Sequence, residues 1–129
     1  MLEIDDLLGV RFVNHGRSIS EGFDCYGLAI EVSRRLGHHL IDIWYAKASP
    51  ETFSQNAEKQ LKKLSDRLLQ TDEQELGNLI IFSDSADRMV HIGVLLEEGI
   101  FIHADVGGVR ITELESYYRK KWKVYKWQQ

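Results

Sequence analysis

The chain has one cysteine, Cys25, in the stretch GFDCYGLAIEV, directly after Asp24 and at the start of a helical pattern. A thiol placed there can act as a nucleophile. The unpaired N–H groups and macrodipole of a helix N-terminus favour an anion by about 0.3–1 kcal/mol, or about 2 when partly buried. That is worth roughly one pKa unit, and a thiol starting near about 8.5 is still mostly protonated at neutral pH. A basic partner is therefore needed, and an imidazole suits the task. Asp24 is assigned to the N-cap, its carboxylate turned onto the helix N–H groups, which leaves Cys25 at the first or second helical position facing the core side.

Among the five histidines, His38 and His39 follow Gly37 in a solvated turn and His15 lies in a loop. His91 and His103 differ because they sit on VHIGVLL and IFIHADV, which are joined by Glu97-Glu98-Gly99. A three-residue hairpin loop with Gly in the left-handed position pairs Leu96 with Ile100, Leu95 with Phe101 and Gly93 with His103. One face then carries Ile92, Val94, Leu96, Ile100 and Ile102. The other carries His91, Gly93, Leu95, Phe101, His103 and Asp105, with the imidazoles as diagonal neighbours roughly 7–8 Å apart by backbone spacing.

If the Cys25 helix covers that second face, His91 is the general base and His103 the group that fixes its tautomer. A buried packing thiol and two satisfied histidines on a half-exposed sheet explain the same residues, and the spacing leaves both readings open. Cys25, His91, His103 and Asp105 are also residue types that bind zinc. The spacings of common structural zinc sites are absent, so no metal and no cofactor is expected.

The elements that must position these groups follow from periodicity. Residues 3–8 read as a short helix ended near Gly9, and VNHGRSISEG as a loop. Cys25, Leu28, Ala29, Val32 and Leu36 form a helical stripe closed by Gly37. Gly27, inside that helix, implies close packing or substrate passing the turn. LIDIWYA reads as an extended or mixed segment. A second helix starts at Ser49, Pro50 and Glu51, with Phe53, Ala57, Leu61, Leu64 and Leu68 as its apolar stripe. LIIF is a buried strand, the hairpin follows, Thr112 with Glu115 is a capping box opening another helical turn, and WKVYKW is an outer strand. Helices first and strands after predict α+β architecture, N-terminal helices packed on an antiparallel sheet.

At 129 residues the chain fits one domain, 1–129. Hydrophobic residues at 43% and charged residues at 28% are globular proportions, so disorder along the whole chain is excluded. A net charge of -4 with scattered Lys and Arg gives no basic stripe for nucleic acid. One cysteine forms no internal disulfide. Asp5 and Asp6 break the N-terminal apolar run, so no signal peptide is expected and the chain is placed in the cytoplasm at synthesis. No stretch approaches the roughly 20 apolar residues of a membrane span.

Taken together, GFDCYGLAIEV, ELGNLIIF, HIGVLLEEGIFIHA and GGVRITEL, in that order, resemble the NlpC-type papain-like cysteine peptidases, which cleave peptide stems of the bacterial cell wall. The resemblance runs from about Gly9 to Trp127. It implies Cys25 as nucleophile, His91 as general base and His103 as its orienting partner. It also implies substrate contacts at Phe12, Asp24 and Tyr26. The expected chemistry is attack by a Cys25 thiolate paired with a His91 imidazolium on a peptidoglycan stem peptide, at the D-glutamyl to diamino acid bond.

The closing GGVRITELESYYRKKWKVYKW is similar to variants in phage tail-tip assembly proteins, the lambda-type K group. That implies other tail proteins as partners and delivery to the wall on a virion tail. The competing expectation is a tail component that keeps the fold without hydrolysis. Three positions depart from the family pattern: Tyr26 stands where Ser is common, Gly77-Asn78 where Gly-Asp is common, and Phe12 where a Tyr is common near the substrate.

Overall fold

A computed structural model describes residues 2–42 and 67–128. Its described elements are β1 (Arg17–Ser18), β2 (Gly22–Phe23), α1 (Cys25–Arg35), β3 (Leu68–Thr71), β4 (Leu79–Ser83), β5 (Met89–Glu97), β6 (Ile100–Asp105), β7 (Gly108–Glu113) and β8 (Trp122–Trp127). The last six form one sheet in the order β3-β8-β4-β5-β6-β7, and every pairing in it is antiparallel. The α+β architecture with an antiparallel sheet is thus as expected.

The sheet has two different faces because apolar residues occupy both sides of its central strands. On one face Leu79, Ile81, Ile92, Val94, Ile102 and Ala104 pack with Leu28, Ala29 and Val32 of α1. On the other, Ile80, Phe82, Leu95 and Phe101 pack under Leu114 and Tyr117. The segment before α1 closes the first layer. Gly9 donates to the Val109 carbonyl, Val109 donates to that of Val10, and Val13 donates to that of Phe23.

Several local expectations are revised. Residues 5–9 form turns rather than a helix. Their bonds run from Leu7 to Ile4 and from Val10 to Leu7, three-residue steps that close a turn without propagating. The capping-box helix at Thr112 and Glu115 is also absent: Thr112 belongs to β7 and pairs with Phe101. WKVYKW is a strand, but it lies inside the sheet between β3 and β4. Leu68, read as the end of a helical stripe, opens β3. The rest of that predicted helix, from Ser49, and most of LIDIWYA lie outside the described residues.

The hairpin loop is tighter by one residue than expected. Glu97, not Leu96, pairs with Ile100, and the register shifts between Leu95 and Glu97. A bulge at Leu96 absorbs the difference. The Leu95–Phe101 pairing is therefore as expected, and Val94 stands opposite Ile102.

Candidate active site

Cys25 is the first residue of α1 because Asp24 ends the extended chain and caps the helix. The Asp24 carboxylate accepts from the Gly27 N–H at 2.8 Å, from the His15 N–H at 2.9 Å and from Arg17 Nη1 at 2.9 Å. Arg17 is held in turn by Asp42. The acid before the thiol is thus a buried joint between loop and helix. Gly27 permits it, since an added Cβ there would lie 2.0 Å from the Gly16 carbonyl oxygen. Close packing, rather than space for a passing substrate, accounts for this glycine.

The two imidazoles meet on the sheet. His91 Nε2 lies 2.7 Å from His103 Nδ1, and their rings stand edge to face with centroids 4.9 Å apart. His91 pairs with Phe82 across β4–β5, which fixes its side chain on the Phe82–Phe101 face. Tyr117 closes over both rings, 5.2 Å from His103 and 6.2 Å from His91 between centroids. His103 Nε2 continues the chain to Thr112 Oγ1 at 2.8 Å.

The expected coverage of the imidazole face by α1 is corrected here. That helix packs on the Ile92/Ile102 face, because the apolar residues of the hairpin are the larger surface to bury. Cys25 packs against this layer too, and its sulfur faces the backbone N–H groups of Ile92 and Tyr26. The thiol therefore sits beside the peptide joining His91 to Ile92. Among the described residues no side-chain hydrogen bond joins Cys25 to either imidazole.

Burial, and after it the Asp24 carboxylate, pushes the Cys25 thiol up to about 12, against the weaker pull of the two N–H groups and Arg17. Burial, then the neighbouring His103, holds His91 well below 6.5. Burial likewise lowers His103 to about 4, with Asp105 opposing and Arg110 assisting. At neutral pH this site holds a thiol and two uncharged imidazoles. Those directions favour transfer of the proton from a neutral thiol over a preformed thiolate–imidazolium pair.

The remaining candidates fall around this centre. Phe12 is half-buried and bridges to Phe23. Tyr26 is 3% exposed, and its hydroxyl donates to the Ile41 carbonyl at 2.6 Å. Asp105 accepts from Gly107 N–H and pairs with Arg110. Among the described residues no group of three or more His, Cys, Asp or Glu is arranged to hold a metal ion, and no helix is long and apolar enough to cross a membrane. A groove of about 490 Å³ beside His38, Glu73, Asn78 and Trp127 contains none of the residues named above as candidates.

Sequence reasoning missed Thr112 and Tyr117. Thr112 was legible as a polar β-branched residue on a strand opposite Phe101, but the Thr-x-x-Glu pattern favoured a cap. Tyr117 is brought over the imidazoles by an irregular segment with no period to read.

The comparisons agree with this architecture. The family model for the NlpC/P60 family matches residues 9–128, and the chain belongs to that family. Two solved structures are similar. NlpC2 from Trichomonas vaginalis matches at TM-score 0.62 and 22% identity over 98% of this chain and 44% of that one. A protein described as similar to lipoprotein, of the NLP/P60 family, from Staphylococcus aureus matches at TM-score 0.59 and 22% identity over 93% of this chain and 39% of that one. This chain thus spans less than half the length of either. No curated protein matches.

Proposed function

We propose that this chain is a cysteine peptidase that hydrolyses an amide bond of peptidoglycan stem peptides, the D-glutamyl to diamino acid bond. The observation that carries the reading is the placement of Cys25 at the start of α1, against the His91–Ile92 peptide, with His91 Nε2 2.7 Å from His103 Nδ1. Family membership supports it.

The hydrogen-bond chain suggests how the base is prepared. If His103 Nε2 donates to Thr112 Oγ1, His103 Nδ1 is an acceptor and His91 carries its proton on Nε2. His91 Nδ1 is then left with a lone pair, the acceptor that this reading needs for the thiol proton. In this reading His91 takes the thiol proton as sulfur attacks the carbonyl. The Cys25 backbone N–H contributes to stabilising the oxyanion, and the imidazolium then gives its proton to the leaving amine. Water releases the acyl-enzyme by the same route in reverse.

Asp24 and Tyr26, whose polar atoms are engaged inside the fold, position the helix; Phe12 remains the candidate for substrate contact. Carriage on a phage tail rests on the sequence resemblance.

The test is digestion of purified muropeptides by wild type, Cys25→Ala and His91→Gln, with circular dichroism as the fold check. Both variants should lose digestion, by about 10³-fold or more for the nucleophile, while keeping the fold. Digestion that survives Cys25→Ala removes the nucleophile assignment. A folded wild type without activity leaves a non-catalytic member of the family.

A further inference from the structure

Two imidazoles joined by one hydrogen bond can hold an added proton on either ring, and both start from the same ordinary value of 6.5. A proton can therefore cross the bond from His91 Nε2 to His103 Nδ1, 2.7 Å long, at little intrinsic cost. A carboxylate in the place of His103 would behave differently, being too weak a base to accept it. Where the charge comes to rest is set by what surrounds each ring.

The β6–β7 register supplies those surroundings. His103 pairs with Arg110 and Phe101 pairs with Thr112, so Thr112 stands diagonally from His103 on the same face. Its Oγ1 lies 2.8 Å from His103 Nε2. A charged His103 therefore has an acceptor for each N–H, His91 Nε2 at one nitrogen and Thr112 Oγ1 at the other. A charged His91 would have one, because among the described residues it bonds only through Nε2.

The charges on the neighbouring elements point the same way. Burial opposes charge on both rings. Beyond burial, Asp105 on β6 favours a proton on His103 and Arg110 on β7 opposes one. His91 is opposed by His103, Arg119 and Arg110. The other groups against the pair, Phe82, Phe101 and Tyr117, are uncharged rings.

We propose that the positive charge formed when His91 takes a proton passes to His103, and that Thr112 is the positioning residue that makes His103 its seat. The thiol proton moves to His91 Nδ1 as sulfur bonds to the carbonyl carbon and the carbonyl electron pair passes to oxygen. The proton already on His91 Nε2 crosses to His103 Nδ1. His91 is then neutral again, protonated on Nδ1, and His103 carries the charge with a proton on each nitrogen. On collapse His103 returns its Nδ1 proton to His91 Nε2, and His91 gives its Nδ1 proton to the leaving amine. The reaction rests on the peptidase reading above; the seat of an added proton in the dyad does not depend on a substrate.

The experiment follows the ring nitrogens of 15N-histidine-labelled wild type, Thr112→Val and Thr112→Ser by nuclear magnetic resonance from pH 7.5 to 4. The pH profile of kcat/KM on muropeptides is measured alongside. At pH 7.5 both rings should be neutral with the proton on Nε2. As pH falls, His103 should become the imidazolium while His91 stays neutral and its proton changes from Nε2 to Nδ1. Loss of an acceptor weakens a charged donor more than a neutral one. In Thr112→Val the first protonation and the acid limb of kcat/KM should therefore both move about one pH unit lower. Thr112→Ser keeps the hydroxyl and should leave both close to wild type.

A His103 proton on Nδ1 at pH 7.5, a charge that appears first on His91, or a first protonation unmoved by Thr112→Val overturns the assignment, while cleavage by wild type keeps the peptidase reading. Charging of His103 with the change of tautomer at His91, in a folded protein that cleaves nothing, upholds the assignment and removes the peptidase reading.

Discussion

At the scale of single residues, the acid before the thiol explains both the helix start and the state of that thiol. Asp24 satisfies the N–H groups of Gly27 and His15 and holds Arg17, and the same charge raises the Cys25 thiol alongside burial. Asp24→Asn separates the two effects, because the amide keeps an oxygen for capping but carries no charge. The pH midpoint of Cys25 alkylation by iodoacetamide should fall relative to wild type. Stability in urea should fall by about 1–2 kcal/mol as the charged bond to Arg17 is lost. An unchanged or higher alkylation midpoint would show that Asp24 does not set the thiol.

At the scale of elements, α1 and the β5–β6 hairpin do the positioning, and each has one place where it cannot yield. For α1 it is Gly27, whose Cα faces the Gly16 carbonyl. In an open helix Gly→Ala stabilises by about 1 kcal/mol. Here the added methyl meets backbone, so Gly27→Ala should lower the urea midpoint by the equivalent of about 3 kcal/mol; a neutral or stabilising result would refute that packing. For the hairpin, the alternation of residues on two strands was enough to place His91 and His103 on one face, because a period of two leaves no other choice once Leu95 opposes Phe101. The exact loop was not legible, since a bulge at Leu96 moves one residue without moving the face. Nor could the strand pattern say which face α1 covers. That is decided by the summed burial of Ile92, Val94, Ile102 and Ala104 against Leu28, Ala29 and Val32, a contest between surfaces far apart in the chain. Tyr117 and Arg119, in a segment without repeat, left no pattern at all.

At the scale of the whole molecule, the buried histidine pair ties stability to pH in a window that the acids do not share. Asp6, Glu31, Asp84 and Asp87 are all held below their ordinary values by Arg or Lys partners or by backbone N–H groups, so their contribution is lost only as pH falls through the acid range beneath about 4. The imidazoles act earlier. With His103 lowered from 6.5 to about 4 and His91 lowered well below 6.5, the unfolded chain binds protons between those limits that the native state refuses. Stability must therefore fall as pH drops from about 6.5 toward 4, by about 2 kcal/mol at pH 5 for His103, with His91 adding in the same direction. Asp105 works against this at His103, while Arg110 reinforces it at both rings and Arg119 at His91. Urea unfolding at pH 7.5, 6 and 5 should show this decline in wild type, and His103→Gln should flatten it by about one histidine's share while lowering stability at pH 7.5. A wild-type stability that is level from pH 7.5 to 5, or a slope unchanged in His103→Gln, would mean that the two rings are charged inside the fold and that the neutral dyad on which the proposed proton transfer depends does not exist.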